Sequence, residues 1–144
     1  VPVIMGVSSA DGTTPTTIYV DPTTHRVLTS TTGSGLVWTE VTGTSQSMEV
    51  NNAYIANNAG LVTLTLPDSA DVGDLVRVVG KGAGLWRIAQ NASESINFGN
   101  VTTTVGVGGY LEATLRYDCI ELVCTVANTT WTVSIPPQGN VTYV

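Results

Sequence analysis

The sequence predicts an all-β domain, an antiparallel sandwich or barrel of about ten short strands. Three observations carry that expectation. Apolar residues recur at every second position, as where Val62, Leu64 and Leu66 share one face and Leu61, Thr63 and Thr65 the other; this is the period of a strand and not the 3.6 of a helix. Turn-forming residues such as Asn57-Asn58-Ala59-Gly60 and the run from Pro67 to Asp74 separate these stretches at short intervals. No stretch of ordinary helical length carries an apolar stripe.

Taken in order, residues 1–29 form a first piece. Asp11-Gly12 and Pro15 signal turns, Thr17 to Val20 is a short strand, and Asp21-Pro22-Thr23-Thr24 places proline at the favoured second position of a turn. Arg26 to Thr29 then returns, predicting a small hairpin that is too short to stand alone and packs on the main body or on a neighbouring protein. Residues 30–35, Ser-Thr-Thr-Gly-Ser-Gly, are a linker without an apolar anchor. Residues 36–144 form the β-rich domain. Strands are expected over 36–41, 45–50, 53–57, 61–66, 74–79, 110–115 and 117–126, then through Trp131, Val133 and Ile135 on one face, and finally over 140–144. Residues 80–91 read as the return of a hairpin, with Gly80, Gly82 and Gly84 supplying positive φ and Trp86 anchoring the strand that follows.

Composition bounds what such a domain does. A chain of 144 residues fits one core, burying roughly 68–70% of its unfolded surface. Charged residues are only 11%, well under the ~25% of ordinary soluble domains, while Thr and Ser abound. The surface is therefore either coated by hydroxyls and amides or covered by other subunits, and strand edges are better protected under symmetric neighbours. The net charge of −6 and the absence of clustered Lys and Arg argue against nucleic acid. They disfavour an anionic membrane surface too, and no apolar run reaches the ~18 residues of a span; the first residues lack the pattern of a signal peptide.

Chemistry is sparse. Cys119 and Cys124 are five residues apart in one strand, which sends them to opposite faces, and they read as small hydrophobes. The one histidine, His25, has no CxxC or HxH companion, so no metal is expected. Asp68, Asp71 and Asp74 lack the spacing of an EF-hand and suit turn caps. The Asn-x-Ser/Thr triplets at Asn91, Asn100, Asn128 and Asn140 are expected by chance in a chain so rich in Thr. No nucleophile elbow, P-loop or His-based dyad is present, so neither an enzyme nor a cofactor is expected. Of the tryptophans, Trp86 shares parity with Ile88, and Trp131 with Val133 and Ile135, so both belong to the core; Trp38 stays open as a surface for flat sugar faces. Lys81 and Arg87, two of only five basic residues, are the candidate ligand contacts, Arg87 lying on the face opposite Trp86.

Several ordered blocks then carry a resemblance: residues 38–46 (Trp-Thr-Glu-Val-Thr-Gly-Thr-Ser-Gln), 54–58, 61–67, 72–74, 77–84, 86–91 and the closing Gly139-Asn140-Val141-Thr142. Over residues 36–144 the chain resembles the β-rich C-terminal module of bacteriophage tail-fibre-like proteins and bacterial collagen-like surface adhesins. The resemblance implies a homotrimeric knob, exterior to a virion or cell surface, that contacts host glycans or other receptors and has no catalytic set. Residues 1–29 look like the arm by which a short phage structural protein joins a larger virion or fibre assembly. The alternative is a purely structural subunit, in capsid decoration or an extracellular filament. A glycan-cleaving enzyme is a third class, and it usually needs a longer chain.

Overall fold

Strands alternate between two sheets along most of the chain. A computed structural model describes residues 35–144 and, as backbone only, the strands β1 (Met5–Val7) and β2 (Thr16–Ile18). The chain divides into two units, Val1–Gly35 and Leu36–Val144. In the first, β1 and β2 pair antiparallel, Gly6 opposite Thr17. The expected return strand over residues 26–29 lies outside the described residues, as does the linker up to residue 34.

The second unit is all-β. Its strands are β3 (Val37–Val41), β4 (Ser45–Ser47), β5 (Asn52–Ala56), β6 (Val62–Thr65), β7 (Leu75–Gly80), β8 (Trp86–Ala89), β9 (Ser95–Phe98), β10 (Val101–Thr102), β11 (Tyr110–Ala113), β12 (Cys119–Val126), β13 (Thr130–Gln138) and β14 (Val141–Tyr143). A seven-stranded sheet has the order β10-β9-β13-β12-β7-β5-β3, and a five-stranded sheet the order β14-β11-β8-β6-β4. The two enclose one core in a sandwich-like arrangement. Val62, Leu64, Trp86, Ile88 and Leu111 come from the smaller sheet, and Val76, Val78, Ile96, Leu122, Cys124 and Trp131 from the larger; all are fully buried.

The sheets are mixed, where the sequence led to an antiparallel expectation. From β3 to β8 the chain changes sheet at every step, so that β3, β5 and β7 run parallel in one sheet and β4, β6 and β8 parallel in the other. These six strands make three turns of a flattened coil. Antiparallel pairing takes over beyond it, with β12 against β7 and β13, and β11 against β8 and β14. A further parallel contact joins β13 to β9.

The run 80–91 is therefore not a hairpin: β7 and β8 belong to different sheets, and residues 81–85 form a corner between them. The corner stacks on the one at residues 57–61. Lys81 and Gly82 donate their amides to the Ala56 carbonyl at 2.8 and 2.9 Å, Gly84 donates to Asn58 O at 3.0 Å, and Asn57 donates to Val41 O at 2.9 Å. The glycines are needed for proximity and not for positive φ. A Cβ at Gly80 would collide with the Arg116 carbonyl, at Gly82 with the Asn58 backbone, and at Gly84 with Gly60. The positive φ of the corner falls instead on Leu85, at 66°.

A second departure comes from a bulge. In the β12–β13 register Leu122 faces Val133 but Glu121 faces Ile135, which leaves one extra residue, Ser134, on β13. Such an insertion breaks parity. Trp131 stays in the core, whereas Ile135 turns to the outside and is 51% exposed. Pro136 and Pro137 follow where β13 has lost β9, whose pairing ends at Thr132, so no ladder bond on that edge misses their absent N–H groups.

Candidate functional site

In the second unit, with one core between two sheets, the surfaces open to a partner are the outer faces of those sheets and the loops at their ends. Register places the outward residues in rows. On the five-stranded sheet one row is Ser45, Thr63, Arg87, Glu112 and Thr142, and the next is Ser47, Thr65, Ala89 and Tyr110. This face is mostly hydroxyl. Arg87 donates through Nε to Glu112 Oε2 at 2.6 Å, and its guanidinium lies 3.9 Å from the centre of the Tyr110 ring. A cation stacked on an aromatic and paired to a carboxylate is held flat against the sheet.

The outer face of the seven-stranded sheet differs in kind. One row is Trp38, Ala53, Arg77, Glu121 and Ile135, the next is Glu40, Ile55, Val79, Cys119 and Gln138, and the third is Leu75, Val123, Thr132, Asn97 and Thr102. Apolar side chains gather on β3, β5, β7, β12 and the far end of β13, while β9, β10 and the start of β13 contribute Asn97, Thr102 and Thr132. At its centre Arg77 pairs through Nε and Nη2 with Glu121, whose other oxygen accepts from Ser134 Oγ at 2.9 Å. Glu121 is thus almost fully buried yet fully hydrogen-bonded. A shallow recess of about 260 Å³ lies beside this pair, lined by Arg77, Cys119, Glu121, Ile135 and Pro136 among others.

Lys81 and Arg87 serve different partners. Lys81 sits in the corner, bonded through Nζ to Glu40 Oε1, which also accepts from Asn57 at 2.9 Å. The Lys81 bond and then the Asn57 amide hold the Glu40 carboxyl below the usual glutamate range. Arg87 lies on the hydroxyl face as described. Arg116, a basic residue that the sequence did not single out, donates from Nε to the Lys81 carbonyl at 2.7 Å. Trp38, 48% exposed, is on the edge strand β3, while Trp86 and Trp131 are wholly buried. Cys119 and Cys124 are both free thiols, Cys119 outward and Cys124 inward, where burial pushes its thiol pKa up.

At the loop ends polar side chains act as fasteners. Asp74 accepts from the Asp71 amide and from Asn51 Nδ2, each at 2.8 Å, which fixes the turn between Asp71 and Asp74. Gln90 Nε2 donates to the carbonyls of Glu94, Thr104 and Gly106 at 2.7, 2.9 and 3.2 Å. Glu94 accepts from the Asn91 amide at 2.7 Å and from Trp131 Nε1 at 3.3 Å, and its burial raises the carboxyl pKa above the usual range. Asp118 ties the amides of Thr114, Leu115 and Asn140 together. Among the described residues no buried side-chain nitrogen or oxygen lacks a partner, and no group of three or more His, Cys, Asp or Glu side chains is placed to hold a metal ion.

Sequence reasoning missed Arg77 and Glu121, because their pairing depends on β7 and β12 being neighbours across 44 residues. It missed the exposed placement of Ile135 because a bulge leaves no mark in an alternating pattern. Compared with known proteins, the chain matches no protein-family model and no curated protein sequence.

Proposed function

We propose that this chain is a non-enzymatic structural protein of a bacteriophage virion, tail-fibre-like, that helps attach the particle to host surface groups. The observation that carries the reading is the contrast between its two outer faces. One is hydroxyl-bearing, with the Arg87–Tyr110 stack, the sort of surface that meets glycans through many weak contacts. The other is apolar and suits burial against a neighbour. Weak single sites become effective only in multiple copies, and a homotrimer supplies them, with residues 1–29 joining the larger assembly and the hydroxyl face turned to the host. The outward recesses are shallow, which favours recognition by shape over enclosure of a small substrate.

Adhesion tests it. Labelled protein should bind host cells or their isolated surface glycans, and Arg87→Ala should weaken that binding while the melting temperature holds within a few degrees. Protein that remains on particles but adheres to no host surface would sink the attachment role. The purely structural reading would then stand, and it draws on the apolar outer face of the seven-stranded sheet.

A further inference from the structure

We infer that the outer face of the seven-stranded sheet, centred on the Arg77–Glu121 pair, is the surface through which copies of this chain contact one another. The inference rests on the assembly reading above and goes beyond it by naming the surface. The face carries Trp38, Ile55, Leu75, Val79, Val123 and Ile135 on adjacent strands. Trp38 and Ile135, at its two sides, are 48% and 51% exposed. These side chains form an apolar patch around the Arg77–Glu121 pair, and such a patch on one sheet face marks a surface suited to burial against a neighbour.

Charge and area favour a second copy as the occupant. The chain carries 11 acidic against 5 basic residues, so most pairings of copies bring like charges together. On this face the charges cancel within the chain: Arg77 is closed by Glu121, and Glu40 at the rim by Lys81. Asp68, Asp71 and Glu49 lie instead around the loops at one end of the sandwich, where they line two shallow hollows with Ser69 and Val50. An apolar face without uncompensated charge neither attracts a charged partner nor repels a copy of itself. Strands spaced about 4.8 Å and rising about 3.3 Å per residue give a seven-stranded face of roughly 600 Å² in projection. Three such faces meeting on a threefold axis together bury on the order of 1,800 Å², about 600 Å² from each copy against the ~800 Å² per partner of a standard interface.

The same contact explains the central pair. Glu121 is removed from water by its own neighbours, and covering the face removes the remaining solvent from Arg77, whose side chain is 41% exposed in the single chain. The carboxylate already pairs the guanidinium charge through two hydrogen bonds, so that further burial leaves no charge unpartnered, and the remaining N–H donors are free to bond across the contact. The hydroxyl face, by contrast, stays hydrated.

Substitution of the full chain tests the assignment, with mass read by light scattering and access to the face read by maleimide labelling of Cys119. Cys124 is buried within the core and serves as the internal silent thiol. The wild-type chain should show a multi-copy mass and slow labelling. Ile135→Asp should fall to the monomer mass with Cys119 labelled at least tenfold faster and an unchanged circular dichroism spectrum, while Thr63→Asp on the opposite face should behave as wild type. If Ile135→Asp does not fold, Trp38→Glu on the edge strand replaces it with the same expectation. An Ile135→Asp or Trp38→Glu chain that folds and keeps the wild-type mass and labelling rate overturns this surface while leaving assembly intact. Loss of mass in Thr63→Asp also overturns the surface, by moving the contact to the other face. A monomeric wild-type chain overturns both the surface and the assembly reading.

Discussion

Trp86 shows what a single residue does here. It is wholly buried, and its Nε1 donates to the Asp118 carbonyl at 2.8 Å, tying the five-stranded sheet to the loop before β12. Trp86→Ala removes that bond and opens a cavity, so stability measured by urea unfolding should fall by ~3–5 kcal/mol. Parity with Ile88 made the burial of Trp86 legible, whereas its hydrogen bond was not, because Asp118 is 32 residues away. Glu94 makes the residue-scale prediction for pH. Burial raises its folded-state carboxyl pKa above the ordinary value, so the folded state binds the proton more tightly than the unfolded one. Its contribution is then most favourable below the ordinary glutamate pKa of 4.5 and is lost as pH rises through the raised folded value. Melting temperature followed downward from neutral pH should show a stabilising increment from Glu94 as pH falls through its raised folded value. Glu94→Gln keeps acceptor and shape but should erase the increment, and a pH profile identical to wild type would refute the assignment.

At the scale of elements the stacked corners decide the fold. Residues 57–61 and 81–85 lie one upon the other because Gly82 and Gly84 leave room for the Asn58 and Gly60 backbones. Asn58 helps to hold the stack, donating from Nδ2 to the Thr42 carbonyl and accepting the Gly60 amide at 2.8 Å. Gly84→Ala puts a methyl group against a backbone that has no free rotamer to yield, and should cost ~1–3 kcal/mol or more. Gly43→Ala, whose added Cβ has only the Ser45 carbonyl at 3.9 Å for company, should cost far less. The comparison is read from paired denaturation curves, and equal losses would show that stacking is not what Gly84 provides. Glycine spacing marked this stretch in the sequence as a turn. The choice between a hairpin and a corner was hidden, since both need tight backbone and both are followed by an alternating strand; only the partners of β7 and β8 separate them. The bulge at Ser134 was hidden for the related reason that it is defined by β12 and not by β13 alone.

For the whole molecule, alternation along each strand made the all-β class and most core residues legible, including Val62, Leu64, Ile120, Leu122 and Cys124. Which strands pair, and in which sense, was not legible. Parallel partners such as Val41 and Ala56, or Ala56 and Gly80, are separated by a strand of the other sheet, and nothing local records that detour. The same detour gives the molecule two unlike outer faces, because outward positions of β5, β7 and β12 carry Ile55, Val79 and Val123 while those of β6, β8 and β11 carry Thr63, Arg87 and Glu112. If the apolar face is covered by copies of the chain, folding and association are linked and the melting temperature depends on concentration. Each tenfold rise in protein should then raise it by about 2–3 °C, given the ~1.4 kcal/mol that a factor of ten represents, shared over the chains of the assembly, and the size of the unfolding entropy for a chain of this length. Scans over a hundredfold range of concentration measure the slope. Ile135→Asp should flatten it without lowering the melting temperature seen at the greatest dilution, whereas a flat slope for the wild-type chain would mean that the sandwich is stable with its apolar face in water.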